Sequence, residues 1–180
     1  MKTLANIADY VSEKINSNEI TLEQYITTDS LLQDKRGREL AQNLPPVNCA
    51  LTKFQNGDVL VANIRPYLKK IWFANTEGAC SSDVLVFRVK NGHVPSFLYS
   101  VLLEDRFYNH AMVGAKGSKM PRGDKDQIMR YKIPTSSNFE ENIGNLIVNI
   151  NDKLNLNRSI NQNLPTLDHS SIEAVVHLAA

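Results

Sequence analysis

Two short apolar runs constrain the fold of this chain more than any other feature. Val59–Ile64 follows a turn signal at Asn56-Gly57-Asp58, and the second run, DVLVFRV, extends from Asp83 to Val89. A strand with one face in water alternates apolar and polar residues, whereas these runs are almost continuously apolar. They therefore predict two neighbouring strands in a sheet that is covered on both faces.

Other local signals place helices beside this sheet. Pro95 predicts the first turn of a helix whose apolar residues run through Phe107 and which ends at Gly114. Residues 3–15 are compatible with one amphipathic helix, but we favour a short helix followed by a strand. The predicted class is α+β, with a mixed α/β domain.

Four further local predictions concern the chain between these elements. Residues 20–28 are rich in strand formers and are predicted to be extended, and Pro66 predicts an extended Arg65. Asp124 is suited to cap a short helical turn, and a strand is predicted at Met129–Ile133.

A long helix is predicted at the C-terminal end, over residues 138–164. No Gly or Pro lies between Gly144 and Pro165. If the helix starts at Asn138, it is about 40 Å long. Its candidate contact residues recur in a heptad pattern that Lys153 interrupts. They are Ile143, Leu146, Ile150, Asn157, Ile160 and Leu164.

This pattern predicts a coiled-coil helix that pairs with a second helix, and packing on the chain's own domain stays the alternative. The expected organisation is a globular domain over residues 1–137, the helix over 138–164 and a short tail over 165–180.

Charge is distributed unevenly along the chain. Residues 1–49 carry 5 Lys and Arg against 7 Asp and Glu, residues 50–132 carry 13 against 7, and residues 133–180 carry 2 against 5. A basic middle in a chain of net charge +1 indicates a localised surface for a polyanion.

Two basic segments within this middle are candidates for contact with nucleic acid. One reads RPYLKK from Arg65, and the other reads GAKGSKMPRGDK from Gly114 to Lys125. In the second segment, three glycines and a proline exclude a helix or strand interior and allow the backbone to approach phosphates closely. The predicted DNA-binding residues are Arg65, Tyr67, Lys69, Lys70, Lys116, Ser118, Lys119, Arg122 and Lys125.

The residue types suggest different roles in binding. A guanidinium can donate hydrogen bonds to two acceptors of guanine, so Arg65 and Arg122 are candidates for contact with base edges. Lysines suit phosphates. Tyr67 is suited either to stacking or to packing in the core, and the sequence does not decide between them.

Several enzyme signatures are missing from the sequence. Leu44-Pro45-Pro46-Val47 lacks the polar and aromatic neighbours of an adenine methyltransferase loop, and no Gly-rich nucleotide fingerprint follows a strand. The four histidines form no metal-ligand spacing. A metal-dependent nuclease using Asp58, Asp83 and Lys90 stays an alternative.

Cysteine usage and the N-terminal sequence bear on the compartment. Cys49 and Cys80 are expected to be buried free thiols. No apolar run is long enough to span a bilayer, and the N-terminus lacks the apolar stretch of a signal peptide, so a cytoplasmic location is expected.

Three segments together resemble a known family. Residues 57–70, 82–88 and 116–125 resemble the target-recognition domain of type I restriction-modification specificity (S) subunits, and residues 150–164 resemble that family's spacer helix. The resemblance covers roughly residues 4–164 and is specific in combination rather than in any single piece.

The resemblance implies a non-catalytic subunit that binds double-stranded DNA and reads one half of a bipartite target. It implies association with modification subunits, which methylate adenine, and with endonuclease subunits. S-adenosylmethionine, ATP and Mg²⁺ are expected only in those partners. With one recognition domain and one helix, the chain resembles half an S subunit, and a homodimer through the helix is expected.

Three other functions are compatible with the residues alone. They are a stand-alone nucleic-acid-binding or regulatory protein, the metal-dependent nuclease and a protein-interaction module without DNA binding.

Overall fold

The computed structural model describes residues 2–117, 119–133 and 139–163. These residues form short strands and helices followed by one long helix. The elements are β1 (Lys2–Thr3), α1 (Leu4–Ile7), β2 (Ala8–Tyr10), β3 (Lys14–Asn16), β4 (Tyr25–Ile26), β5 (Ala50–Phe54), β6 (Val59–Ala62), β7 (Ile71–Phe73), β8 (Gly78–Cys80), β9 (Val84–Val89), α2 (Pro95–Leu102), α3 (Asp105–Val113), α4 (Lys125–Met129), β10 (Lys132–Ile133) and α5 (Glu140–Asn163). The predicted fold class, mixed α/β with a long C-terminal helix, is confirmed.

The strands form two four-stranded sheets and one pair. The first sheet has the order β2-β9-β6-β7 and is antiparallel throughout. The second has the order β3-β5-β8-β4, in which only β4 and β8 are parallel. β1 pairs with β10.

The central strand β6 is buried on both faces, as its apolar run predicts. Val59 and Val61 belong to a core that includes residues of α2 and α3. Leu60 and Ala62 belong to a second core, which includes residues of the second sheet such as Phe54. Alternate side chains of a strand point to opposite faces, so β6 joins helices on one side to a sheet on the other.

The single helix predicted from Pro95 to Gly114 is wrong in one respect, because the chain contains two helices there. α2 ends at Leu102, and Glu104 has extended backbone angles before α3 begins. Leu102 and Phe107 are five residues apart, a spacing that one continuous helix does not place on one stripe. The break allows both to be buried in the same core. Gly114 ends α3 as predicted.

Local predictions elsewhere have mixed outcomes. The short helix followed by a strand at the N-terminus is confirmed as α1 and β2. Only Tyr25–Ile26 of the extended segment is a strand, because a 3-10 turn at Leu22–Gln24 precedes it. The strand predicted from Met129 is shortened to β10, since Asp124 caps α4 by accepting from the Gln127 amide at 2.9 Å.

The two thiols have different surroundings. Both cysteines are free, and Cys80 is buried as expected, but Cys49 is exposed. Burial raises the pKa of Cys80 to about 12. The expectation for Cys49 is wrong because it follows the irregular segment 39–48, where Leu44 and Val47 are also exposed.

The chain divides into two compact units, Met1–Asn149 and Ile150–Ala180. The first turns of α5 belong to the first unit. A Cβ added at Gly144 would lie 2.4 Å from Ser96 Oγ and 2.5 Å from the Phe97 nitrogen, so only glycine allows this approach to α2. Glu140 contacts His93 Nδ1 at 3.0 Å. None of the described helices combines the length and hydropathy that a membrane span requires.

Candidate nucleic-acid interface

The segment 65–70 leaves the end of β6 through an unusual backbone conformation. Arg65 has φ 51° and ψ 61°, which is left-handed, and the extended conformation predicted for it is wrong. Its amide donates to the Pro121 carbonyl at 2.7 Å, and its carbonyl accepts from the Leu68 amide at 2.9 Å. These two bonds hold Arg65 at the start of a 3-10 turn.

The segment 116–125 is bonded to the same end of β6. Lys116 and Arg122 exchange two backbone hydrogen bonds of 2.9 Å, which closes the loop at its base. The Gly123 amide donates to the Asn63 carbonyl at 3.1 Å. Two segments separated by 45 residues in sequence, both predicted to bind DNA, therefore meet at one strand end.

A third basic segment, Asp34–Arg38, joins them. The Asp34 amide donates to the Leu68 carbonyl at 3.0 Å, and the Lys35 amide donates to the Lys69 carbonyl at 2.9 Å. The sequence DKRGR predicts a turn, and its three basic residues were the available signal that it belongs to the site. We call segments 34–38, 65–70 and 116–125 the basic loops; they hold ten of the chain's 20 Lys and Arg residues.

Left-handed backbone is concentrated in the basic loops. Among the described residues other than glycine, positive φ angles occur at Asp34, Lys35, Arg65 and Lys69. Each such residue costs on the order of 1–2 kcal/mol, and such conformations concentrate at functional sites. Three of the four carry basic side chains.

Most of the predicted DNA-binding side chains are accessible. Arg65, Lys116, Lys119, Arg122 and Lys125 are exposed. Tyr67 is 49% exposed, so its ring is not a core residue and the packing alternative is wrong.

The other three predicted DNA-binding residues are Lys69, Lys70 and Ser118. Lys69 Nζ contacts Asp105 at 3.0 Å, and Lys70 Nζ donates to the Thr28 carbonyl. Burial lowers the pKa of Lys70. Their contact with DNA stays a prediction, and Ser118 lies outside the described residues.

Several basic side chains of the basic loops form ion pairs with carboxylates. Asp83 Oδ1 lies 3.0 Å from Arg122 Nη2. Asp105 binds both Lys35, at 2.6 Å, and Lys69, and the hydrogen bond from Lys35, followed by that from Lys69, lowers its pKa. Exposed ion pairs of this kind contribute about 0–1 kcal/mol each, so phosphates can compete for the cations.

The residues of the nuclease alternative do not come together. Asp58 is buried and binds Arg88, with contacts of 2.8 and 2.7 Å. Asp83 lies at the other end of the antiparallel pair β6–β9, and Lys90 pairs with Asp9. Within residues 2–117, 119–133 and 139–163, no group of three or more His, Cys, Asp or Glu is placed to hold a metal ion.

Comparison with known proteins identifies the same family as the sequence segments. The type I restriction enzyme EcoDI specificity subunit of Escherichia coli is 26% identical over 89 residues, which is 49% of this chain and 20% of that protein. The HsdS subunit from Thermoanaerobacter tengcongensis matches with a TM-score of 0.62 at 19% identity over 88% of this chain. The resemblance to type I specificity subunits is confirmed. The type I S subunit from M. genitalium matches with a TM-score of 0.60 at 16% identity, also over 88% of this chain.

The chain spans less than half of the solved specificity subunits, 43% and 40% of the two named above. A third solved structure concerns complex assembly and conformational transition of the type I R-M system. One of its chains matches with a TM-score of 0.65 at 19% identity, and this chain covers 43% of it. At these identities the likeness shows the fold that the chain shares with specificity subunits. No model of a protein family matches the chain.

The helix that resembles the spacer of specificity subunits exposes several of its apolar residues, including those predicted for the heptad seam. In the first unit, Ile143 and Leu146 are exposed. In the second unit, Ile150, Asn157 and Ile160 are exposed, and so is Leu154, which follows the heptad interruption at Lys153. Leu164 lies outside the described residues.

The left-handed conformation of Arg65 leads to a prediction about stability. Arg65→Gly is expected to leave the free energy of unfolding within about 1 kcal/mol of the unmodified chain, because glycine adopts positive φ freely. Arg65→Val is expected to be about 1–2 kcal/mol less stable than Arg65→Gly, since a β-branched residue is strained there. Urea unfolding measures both, and equal stability of the two variants would contradict the assigned backbone conformation.

Proposed function

We propose that this chain is a DNA-recognition domain of a type I restriction-modification specificity subunit and reads one half of a bipartite target without catalysing a reaction. The observation that carries this proposal is the convergence of three basic loops at one end of β6. The amides of Asp34, Lys35 and Arg65 make the connecting bonds. The resemblance to specificity subunits supplies the identity of the polyanion as duplex DNA.

The support for sequence reading lies in how the arginines are held. Arg65 and Arg122 are exposed, and both lie at a backbone bridge directly after β6, a strand that is buried on both faces. The Arg65 amide donates to the Pro121 carbonyl, and the Gly123 amide donates to the Asn63 carbonyl. A guanidinium on a rigid support can discriminate guanine by roughly 1–3 kcal/mol, because its fork must match two acceptors at once.

The support for backbone contact lies in the surrounding lysines. Lys116, Lys119 and Lys125 are exposed, and we add Arg36 and Lys35 of the third basic loop to the predicted phosphate contacts. Each neutralised phosphate is expected to contribute about 0.9 to the slope of log K against log salt.

We also propose that the chain acts in a complex with type I modification and restriction subunits. In that complex the partners carry S-adenosylmethionine, ATP and Mg²⁺. The support for this step is the family resemblance alone. The test is to co-express the full chain with a type I modification subunit and map methylated adenines in the host DNA.

Methylated adenines within a single interrupted target are the expected result of that experiment. The matched control is the modification subunit expressed alone, which is expected to leave no such pattern. Absence of methylation together with absence of duplex binding by the purified chain at low salt would overturn the proposed function.

We propose further that α5 pairs with the same helix of a second copy, which would supply a second recognition domain. Ile150, Leu154 and Ile160 are each about half exposed, and pairing would bury them. Asn157 occupies the polar position of the heptad seam, which fixes register at a cost in stability.

Asn157→Leu is therefore expected to strengthen helix association and to alter the number of chains in the assembly. Sedimentation equilibrium of the full chain measures this, and Gln162→Leu is the matched control because Gln162 is exposed and lies off the seam. A monomer for both the unmodified chain and Asn157→Leu would reject helix pairing.

A further inference from the structure

The Arg122 side chain has a carboxylate partner that is not itself in a basic loop. Asp83 Oδ1 lies 3.0 Å from Arg122 Nη2, and the two side chains are 34% and 59% exposed. The contact uses one terminal amino group of a guanidinium that carries five N–H donors. The pair thus restrains the orientation of Arg122 while donors remain for a ligand.

Both members of the pair are fixed to the same short stretch of backbone. The Asn63 amide donates to the Asp83 carbonyl at 2.8 Å, and the Asn63 carbonyl accepts from the Gly123 amide at 3.1 Å. Ile64 forms a bridge with Arg122. Asn63 and Ile64 directly follow the buried strand β6, so the distance between Asp83 and Arg122 is set by the first sheet.

This pair is difficult to explain as a stabilising element or as an aid to general DNA affinity. Ion pairs as exposed as this one contribute little to folding. A carboxylate beside a DNA-contacting cation also repels phosphates, which lowers affinity for any sequence. What it can supply is a fixed guanidinium plane, which the bidentate contact with guanine requires.

We propose that Asp83 is a positioning residue that orients Arg122 for one base pair of the target, at some expense of sequence-independent affinity. This inference rests on the proposed function. It identifies a specificity determinant that carries a charge opposite to that of every charged residue predicted to bind DNA.

The test selects targets from a random-sequence duplex DNA library with the full chain. Six proteins are compared: the unmodified chain, Asp83→Asn, Asp83→Glu, Arg122→Ala, the Asp83→Asn/Arg122→Ala double variant and Glu13→Gln. Glu13 is the matched control because it is another exposed carboxylate in an ion pair, 3.3 Å from Lys53, and neither residue is in the basic loops. Thermal melting of each protein checks that it is folded.

Asp83→Asn is expected to bind the unselected library at least as tightly as the unmodified chain. Its preference at one G·C pair is expected to fall about five- to tenfold, the lower part of the range for a bidentate contact. Arg122→Ala is expected to lose the preference at that pair, and the double variant is expected to match Arg122→Ala. Glu13→Gln is expected to keep the preference at that pair. Asp83→Glu is expected to show a stronger preference than Asp83→Asn, because it keeps the carboxylate.

The outcomes separate this inference from the function on which it rests. If Arg122→Ala loses the preference and Asp83→Asn keeps it, Asp83 does not position Arg122 and the inference is overturned alone. If the unmodified chain binds no member of the library, the proposed function is overturned and the inference with it. If Arg122→Ala selects the same sequences as the unmodified chain, Arg122 is not a base reader and the inference also fails.

Discussion

Duplex DNA binding is expected to weaken about 10- to 100-fold when Lys119 and Arg122 are both replaced by alanine. Both side chains are exposed on a loop that backbone hydrogen bonds connect to Asn63 and Arg65. Loss of one phosphate contact and one base contact accounts for a change of this size, since a good base contact alone is worth roughly 1–3 kcal/mol. The magnitude of the slope of log K against log salt is expected to fall by about one.

The matched control for this experiment removes the same charge elsewhere. Lys53 on β5 and Lys132 on β10 lie outside the basic loops, and their double alanine variant is expected to bind DNA with an unchanged salt slope. Fluorescence anisotropy with a labelled duplex at several salt concentrations measures both variants. An equal loss in the two double variants would mean that only net charge matters and that the loop has no particular role.

The largest effect on stability is expected from Asp58→Ala. Asp58 is 1% exposed and accepts hydrogen bonds from Arg88 Nε at 2.8 Å, Arg88 Nη2 at 2.7 Å and the Gln55 amide at 2.9 Å. Removing one partner of a buried pair leaves an uncompensated charge, and Arg88 is a third exposed, so the free energy of unfolding is expected to fall by about 2–4 kcal/mol. Urea denaturation measures it.

A double-mutant cycle separates the ion pair from the turn that Asp58 caps. Arg88→Ala leaves a buried carboxylate with only its Gln55 bond, and is also expected to destabilise the chain. The double variant is expected to lose less stability than the sum of the single variants, because neither charge is then left alone. Additive losses would show that the two side chains do not depend on each other.

Elements that local sequence determines were predicted correctly. β6 and β9 follow from runs of apolar residues, and burial of β6 on both faces follows from their continuity. Pro95 begins a helix and Gly114 ends one, because the fixed φ of proline and the missing side chain of glycine act within one turn of chain.

Features that depend on distant segments were not predictable in this way. Arg65 is left-handed because its amide bonds to Pro121, fifty-six positions later. The break at Glu104 depends on how Phe107 packs against Phe87, whose ring centroid lies 6.4 Å away. No local pattern contains either contact.

The candidate site also combines features that local sequence predicts with features that depend on distant segments. Composition identified two of the basic loops, since Gly, Pro and cations are counted directly. The third, Asp34–Arg38, also carries three cations, but its position beside the other two depends on backbone bonds to residues 68 and 69. The carboxylates Asp83 and Asp105 were not predicted as partners of Arg122 and Lys69, because they come from other elements of the fold.

The position of β6 between two cores has a consequence for how the first compact unit opens. Loosening either core requires movement of a strand that the other core also holds, so the two are expected to unfold in one cooperative transition. Amide hydrogens of β6 should then exchange last, with rates set by global unfolding, while those of the irregular segment 39–48 exchange early. Because the basic loops are anchored at the end of this strand, the proposed DNA contacts would be attached to the slowest-exchanging strand of the first unit.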